Sequence, residues 1–323
     1  MNPQSKKNTE TYKKIKILGE GSYGKAILVK SNSPGNTLYV MKTIPMNNMS
    51  EESKKKTYGE VKILQRLNHP NIIKFHEVFI IKNAPEKFTL HIIAEYADGG
   101  DLFDKIKEHK KKKTFFTEDQ ILDYLIQITL ALNHMHTKHI LHRDIKSQNI
   151  FLTKNNMVKL GDFGISKTLE HTLANAKTII GTPYYLSPEI ILNVPYSYKS
   201  DVWSLGVLLY EMTAFKMPFD ASSISELAKK IKKGEYEKIN KSNYSNDLKK
   251  LIDNLLQVNP EKRPTIKDIL CKFIIFFILF FLKYFYLALP LLRNRMKKFL
   301  EESGYDQDFT KSFIFAFVSF IFI

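Results

Sequence analysis

From Tyr12 the chain alternates apolar and polar positions, first through Ile15 and Ile17 and then into the run Ala26-Ile27-Leu28-Val29. Between them lies Gly19-Glu20-Gly21-Ser22-Tyr23-Gly24. Strand-type residues on both sides of a glycine turn predict two strands joined as a hairpin. A further strand closes at Tyr39-Val40-Met41-Lys42, and another runs from Leu90 to Ala94. The periodicity then changes. Ser50 followed by Glu51 and Glu52 supplies an N-cap with acids in the first turn, predicting a helix to about Asn68 with Leu64 and Leu67 on a face near Glu60. A longer helix is predicted from Thr117 to Lys138, entered at Thr117-Glu118-Asp119 and striped by Ile121, Leu125, Ile128 and Leu132. That stripe marks a core-facing helix rather than a site. Residues 1 to 11 are polar and are expected to be disordered.

With 323 residues, 44% hydrophobic, the chain can bury one large or two moderate cores. Its formal net charge of +16 raises nucleic acid as a partner, but only five of the 49 cationic residues are Arg. Base reading and bidentate phosphate recognition favour Arg, so nucleic-acid binding is not expected. The runs Lys54 to Lys56 and Lys110 to Lys113 read as solvated faces that weakly favour acidic partners. A single cysteine, Cys271, excludes an intramolecular disulfide, and Met1 to Glu10 lacks the apolar core of a secretory signal. A cytoplasmic location is expected.

The densest chemistry lies in His142-Arg143-Asp144-Ile145-Lys146-Ser147-Gln148-Asn149 and, thirteen residues on, Asp162-Phe163-Gly164. Phosphoryl transfer needs a carboxylate to orient the accepting hydroxyl and oxygen ligands to hold Mg²⁺. Asp144 suits the first role, Asn149 and Asp162 the second. The glycine pattern is a weak signal alone, because it also marks dinucleotide-binding turns. Those are followed by a helix, whereas strand-type residues follow here, as suits a hairpin whose backbone closes over phosphates.

Together these motifs resemble the eukaryotic protein kinase catalytic domain, and the phrases HRDIKSQNIFLT and IGTPYYLSPEI resemble its NIMA-related serine/threonine branch. The resemblance covers residues 12 to 274. It implies an α+β bilobal fold, with a β-rich small lobe at 12–96 and a helical large lobe at 97–274, and the cofactors ATP and Mg²⁺. It implies that Lys42 holds phosphates and pairs with Glu60, and that Asp144, Lys146 and Asn149 act at the γ-phosphoryl group. The nucleotide would lie among Leu18, Gly19, Gly21, Gly24, Ala26, Lys42, Ala94, Glu95, Ala97, Asp101 and Phe151, with Asn149 and Asp162 on the metal. Arg143 and Thr178 would govern activation by phosphate, added by an upstream kinase or in trans, and Thr182 would bond to Asp144 and Lys146. Ile165 suggests a preference for threonine acceptors. Glu189 and Arg263 would form a buried pair, and Asp201-Val202-Trp203-Ser204-Leu205-Gly206 would open a large-lobe helix. Ala94 replaces the bulky residue usual in the family and is expected to open space behind the adenine. Protein substrates and a role in the cell cycle, at microtubules, centrosomes or cilia, follow from the same resemblance. With no sustained heptads after residue 271, a monomer is expected. The rival of another class is a catalytically silent scaffold, disfavoured because Lys42, Glu60, Asp144, Asn149 and Asp162 are all present.

The segment 275–323 is apolar and basic. Phe273 to Leu292 is a run of 20 residues with one charge, Lys283, long enough at about 1.5 Å per residue to cross about 30 Å of hydrocarbon. Against a membrane anchor stand the central Lys283, Pro290, and the cluster Arg293, Arg295, Lys297 and Lys298, which falls on the side away from a cytosolic domain. Removing Ile275 to Leu292, eighteen codons, joins Phe273-Ile274 to Arg293 and restores a family-like ending. Translated AT-rich introns, here and at Ser312 to Ile323, are the favoured expectation, with a membrane-anchored enzyme of the same chemistry as the alternative.

Overall fold

The computed structural model describes residues 11–21, 24–47, 49–84, 87–162, 183–240 and 242–271. It falls into two units, Met1–Asp268 and Ile269–Ile323. In the second, only 269–271 lie among the described residues, so the apolar stretch 273–292 falls outside them. Among the described residues no helix is long and apolar enough to cross a membrane.

The first unit opens with five antiparallel strands, β1 (Tyr12–Gly21), β2 (Gly24–Ser31), β3 (Leu38–Pro45), β4 (Phe75–Ala84) and β5 (Lys87–Glu95), in the order β1-β2-β3-β5-β4. The β1–β2 hairpin pairs Gly21 with Gly24. Gly24 has φ +137°, and a Cβ there would stand 1.7 Å from the Thr43 carbonyl oxygen. Only glycine serves at that point. Strand alternation gives the sheet two apolar faces. Ile27, Val29, Met41, Phe79 and Ile93 pack with Tyr12 on one. On the other, Ile44, Leu90 and Ile92 meet Val61 of helix α1 (Glu51–Gln65).

Some boundaries differ from the sequence reading. β3 continues to Pro45, so Lys42 stands inside the strand. Ser50 does cap α1, accepting from the Ser53 N–H at 3.2 Å. The helix ends at Gln65, short of Asn68, where Leu67 N–H bonds to the Leu64 carbonyl in a tighter turn. His69 precedes Pro70, which disfavours helical backbone there. Strand β4 and helix α2 (Leu102–Lys112) had no counterpart in that reading.

The helical part is built on α3 (Glu118–Thr137) and α4 (Tyr198–Ala214). Thr117 and Gln120 form a capping box at α3, and Ile121, Leu125, Ile128 and Leu132 are fully buried. α4 starts a turn before Asp201, capped by Ser197, and every residue from Ser200 to Thr213 is buried. Helices α5 (Ile224–Lys233) and α6 (Asn246–Leu255) follow, capped by Ser223 and Ser245. Between α3 and α4 a two-stranded sheet pairs β6 (Ile150–Leu152) with β7 (Val158–Leu160). This hairpin brings Asn149, just before β6, close in space to Asp162, just after β7.

Candidate active site

The loop from His142 to Asn149 is fastened from below. The fully buried Asp201 of α4 accepts the N–H groups of His142 at 3.1 Å and Arg143 at 3.0 Å, and the Tyr196 hydroxyl at 2.7 Å. His136 Nε2 of α3 lies 2.8 Å from its Oδ2. Burial works against the charge of Asp201, yet the bond and charge of His136, with His142 and Tyr196, outweigh it and hold the carboxyl below its ordinary range. His142 is itself buried. Its Nδ1 accepts the Asp144 N–H at 3.3 Å and its Nε2 donates to the Gly161 carbonyl at 3.1 Å, so the ring is a neutral tautomer. Burial lowers its pKa in agreement.

A second acid of α4 secures the rest of the loop. Glu211, only 4% exposed, accepts the Tyr185 hydroxyl and, at 3.2 Å, the Ser147 hydroxyl, while Ser147 N–H donates to the Tyr185 oxygen at 3.3 Å. Burial raises the Glu211 carboxyl above its ordinary range despite those two donors. The loop is thus held at both ends by one helix.

On this support Asp144 is held with its side chain only 12% exposed. Asn149 Nδ2 donates to its carbonyl at 2.7 Å and to its Oδ2 at 2.8 Å, and Lys146 Nζ lies 2.8 Å from the same Oδ2. Lys42 Nζ of β3 lies 2.6 Å from Asp162 Oδ1. Arg143 and Asp162 adopt left-handed backbone, φ 68° and 54°. Such conformations are held only where the surroundings impose them, and they gather at functional sites.

Between sheet and helices lies a cleft of about 300 Å³. Of the residues predicted for the nucleotide, Leu18, Gly19, Ala26, Lys42, Ala94, Glu95, Ala97 and Phe151 line it, as does Asp162. Gly21, Gly24 and Asp101 do not. Asp101 instead caps α2, its Oδ1 accepting the Asp104 N–H at 2.9 Å, and burial raises its carboxyl. Sequence reasoning did not anticipate Val40, Leu64, Phe75 or Ile92 in the lining. The register of β3 and β5 accounts for Val40 and Ile92. Val40 pairs with Ala94 and Lys42 with Ile92, so alternate residues of β3 and β5 face the cleft together.

Arg263 and Glu189 form a bidentate pair, Nη1 to Oε1 and Nη2 to Oε2 each at 2.8 Å, with the Ser200 hydroxyl on Oε1 at 2.7 Å. The side chain of Glu60, and all of Thr178, Thr182 and Ile165, lie outside the described residues. Sequence reasoning missed the supporting roles of His136, Tyr196, Asp201 and Glu211. The signal available was an acid inside an otherwise apolar helix, since a buried carboxylate needs donors.

A sheet and a helical part enclosing a cleft of about 300 Å³, with Lys42 on Asp162 and Lys146 on Asp144, form the frame of a phosphoryl-transfer site. Residues 12–274 match the protein kinase domain. The chain is 47% identical over 266 residues to the mouse serine/threonine-protein kinase Nek1, covering 82% of this chain and 21% of that protein. It is 40% identical over 306 residues to human Nek5, covering 94% and 40%, and 45% identical over 265 residues to the probable serine/threonine-protein kinase nek3 of Dictyostelium discoideum, covering 81% and 23%. The chain belongs to the protein kinase family and, within it, to the NIMA-related (Nek) group. It spans 21% to 40% of the length of these three relatives.

Proposed function

We infer that this chain transfers the γ-phosphoryl group of ATP to serine and threonine hydroxyls of proteins. The observation that carries this reading is the convergence of Lys146 and Asn149 on Asp144, each within 2.8 Å of the same carboxylate oxygen, opposite the 2.6 Å Lys42–Asp162 pair. Asp144 orients the acceptor hydroxyl and takes its proton as the oxygen attacks phosphorus and ADP leaves. Lys146 and Lys42 neutralise charge on the transferred group and on the phosphates it leaves. Asn149 and Asp162 carry the hard oxygen donors that would hold Mg²⁺, and because the Asn149 nitrogen donates to Asp144, its Oδ1 would be left to serve as a ligand. When bound, Mg²⁺ supplies electrostatic neutralisation of the phosphates.

Lys146 and the names of the relatives favour serine and threonine over tyrosine as acceptors. Phosphorylation of Thr178, by an upstream kinase or in trans, is the proposed activating event. Its charge would order the segment through Arg143. A cell-cycle, microtubule or ciliary role rests on family likeness alone. Transfer of labelled γ-phosphate to casein tests the reading. Wild type should label the substrate and Asp144→Asn should not, whereas equal labelling by both proteins, or none by wild type phosphorylated on Thr178, overturns it.

A further inference from the structure

A second cavity, of about 370 Å³, shares no lining residue with the nucleotide cleft. It is framed by His136 at the end of α3, His139 just beyond it, Tyr198, Lys199 and Val202 in the first turns of α4, and Ile266 and Lys267. Among the described residues, four of the ten that line it can carry positive charge and none is acidic, with Asp201 behind His136 and Asp268 bonded to Thr265. Cations at the C-terminal end of α3 complement the helix dipole, which accounts for His136. The same reasoning disfavours Lys199, which stands in the first turn of α4 at the positive end. Lys199 Nζ is nevertheless held there, bonded to the Arg263 carbonyl. Of these groups only His136 enters the kinase site, as a support of Asp201; His139, Tyr198 and Lys267 have no role in the chemistry derived above.

The geometry points to a binding site for a small aromatic phosphate monoester in this cavity. Lysine binds phosphate as a point charge, and a phosphate monoester, with more charge and more acceptor oxygens than a carboxylate, can take donors from several sides of such a cavity. The buried Val202 and Ile266 supply an apolar floor, and Tyr198, whose ring centroid lies 4.7 Å from that of His136, supplies an aromatic wall. The volume falls within the range of small-ligand sites, about 300 to 1,000 Å³. His139 Nδ1 and the Tyr198 hydroxyl, 3.3 Å apart, form the rim together with Lys267. An occupant would stand one side chain from Asp201, through the 2.8 Å contact of His136.

Phenyl phosphate titrated into the full chain, followed by calorimetry, tests this. We expect saturable binding to one site, weakened about tenfold in the double variant Lys267→Gln/His139→Asn, both exposed positions. Binding should persist in Lys42→Met and in the presence of ADP. Absence of saturable binding, full affinity in the double variant, or competition by ADP overturns the site. Equal affinity for benzoate overturns the phosphate class, and a phosphotyrosine peptide binding tenfold more tightly than phenyl phosphate replaces the small molecule with a protein partner. Matching circular dichroism melts for wild type and the double variant separate a lost contact from a lost fold.

Discussion

Lys42–Asp162 and Arg263–Glu189 are both short ion pairs, at 2.6 and 2.8 Å. The side chains of the first are 30% and 47% exposed, and those of the second 0% and 7%. In water the partners of the open pair can be exchanged at little cost, because a solvated ion pair contributes roughly 0 to 1 kcal/mol. In the proposed reaction Lys42 and Asp162 release each other to receive phosphate and metal, and an exposed pair suits that exchange. The sealed pair is permanent, since separating it strands a charge where nothing else can solvate it. Arg263 spends further donors on the Gln257, Lys199 and Val258 carbonyls. One pair is built for traffic and the other for support.

The largest expected effect breaks the sealed pair. Arg263→Ala should cost about 3 to 5 kcal/mol of unfolding free energy, read from urea midpoints, because Glu189 is left buried and charged. A loss below about 1 kcal/mol would mean that the site takes up water or protonates freely. Next, Lys42→Met should leave stability within about 0.5 kcal/mol while phosphoryl transfer falls about a hundredfold or more. Comparable losses in both would erase the distinction between the two pairs.

The pH sharpens the comparison further. Burial alone would raise Glu189, but the Arg263 guanidinium and the Ser200 hydroxyl hold it below the ordinary carboxylate range. Its contribution is therefore present above that range and lost as pH falls through the lowered value. Among the described residues no cation pairs with Glu211, and burial raises it. The sign reverses, so its stability is complete at low pH and is lost as pH rises through the raised value. Glu211→Gln, neutral throughout, should remove that loss, and each unit of the raised pKa corresponds to about 1.4 kcal/mol in a stability–pH profile. Parallel profiles for variant and wild type would show that Glu211 titrates as an ordinary acid. The smallest effect concerns Ala94. A bulky aromatic ATP-competitive inhibitor should weaken about tenfold on Ala94→Met, because Leu64, Phe75 and Ile92 line the cleft beside that position. Equal inhibition would mean that a neighbouring side chain already fills the space.

Much of this architecture was legible in the residues. The β1–β2 hairpin followed from alternation around glycines, and α3 from a stripe at helical spacing with a cap before it. Lys42, Asp144, Asn149 and Asp162 could be picked out as candidates because their chemistry, intervals and family resemblance are restrictive. Strand β4 escaped because Phe75, Val78, Phe79, Ile80 and Ile81 supply apolar residues to both faces, which erases the alternation that marks a half-buried strand. The polar run of α2, rich in lysine, offers only Leu102 and Ile106 to the core. Roles that depend on distant partners were the least visible. Nothing near Asp201 in the chain says that its carboxylate will receive N–H groups from His142 and Arg143, residues nearly sixty positions earlier.

Helix α4, sealed from Ser200 to Thr213, has a consequence in time as well as in space. With no face open to water, its amides have no local route to solvent, and their hydrogen exchange should proceed only when the whole unit unfolds. Strand β1, whose Ile15, Ile17 and Leu18 are 49%, 57% and 41% exposed, should exchange orders of magnitude sooner. In a deuterium-exchange time course, therefore, the roof of the cleft should be replaced many times over before the helix that anchors its floor is replaced once.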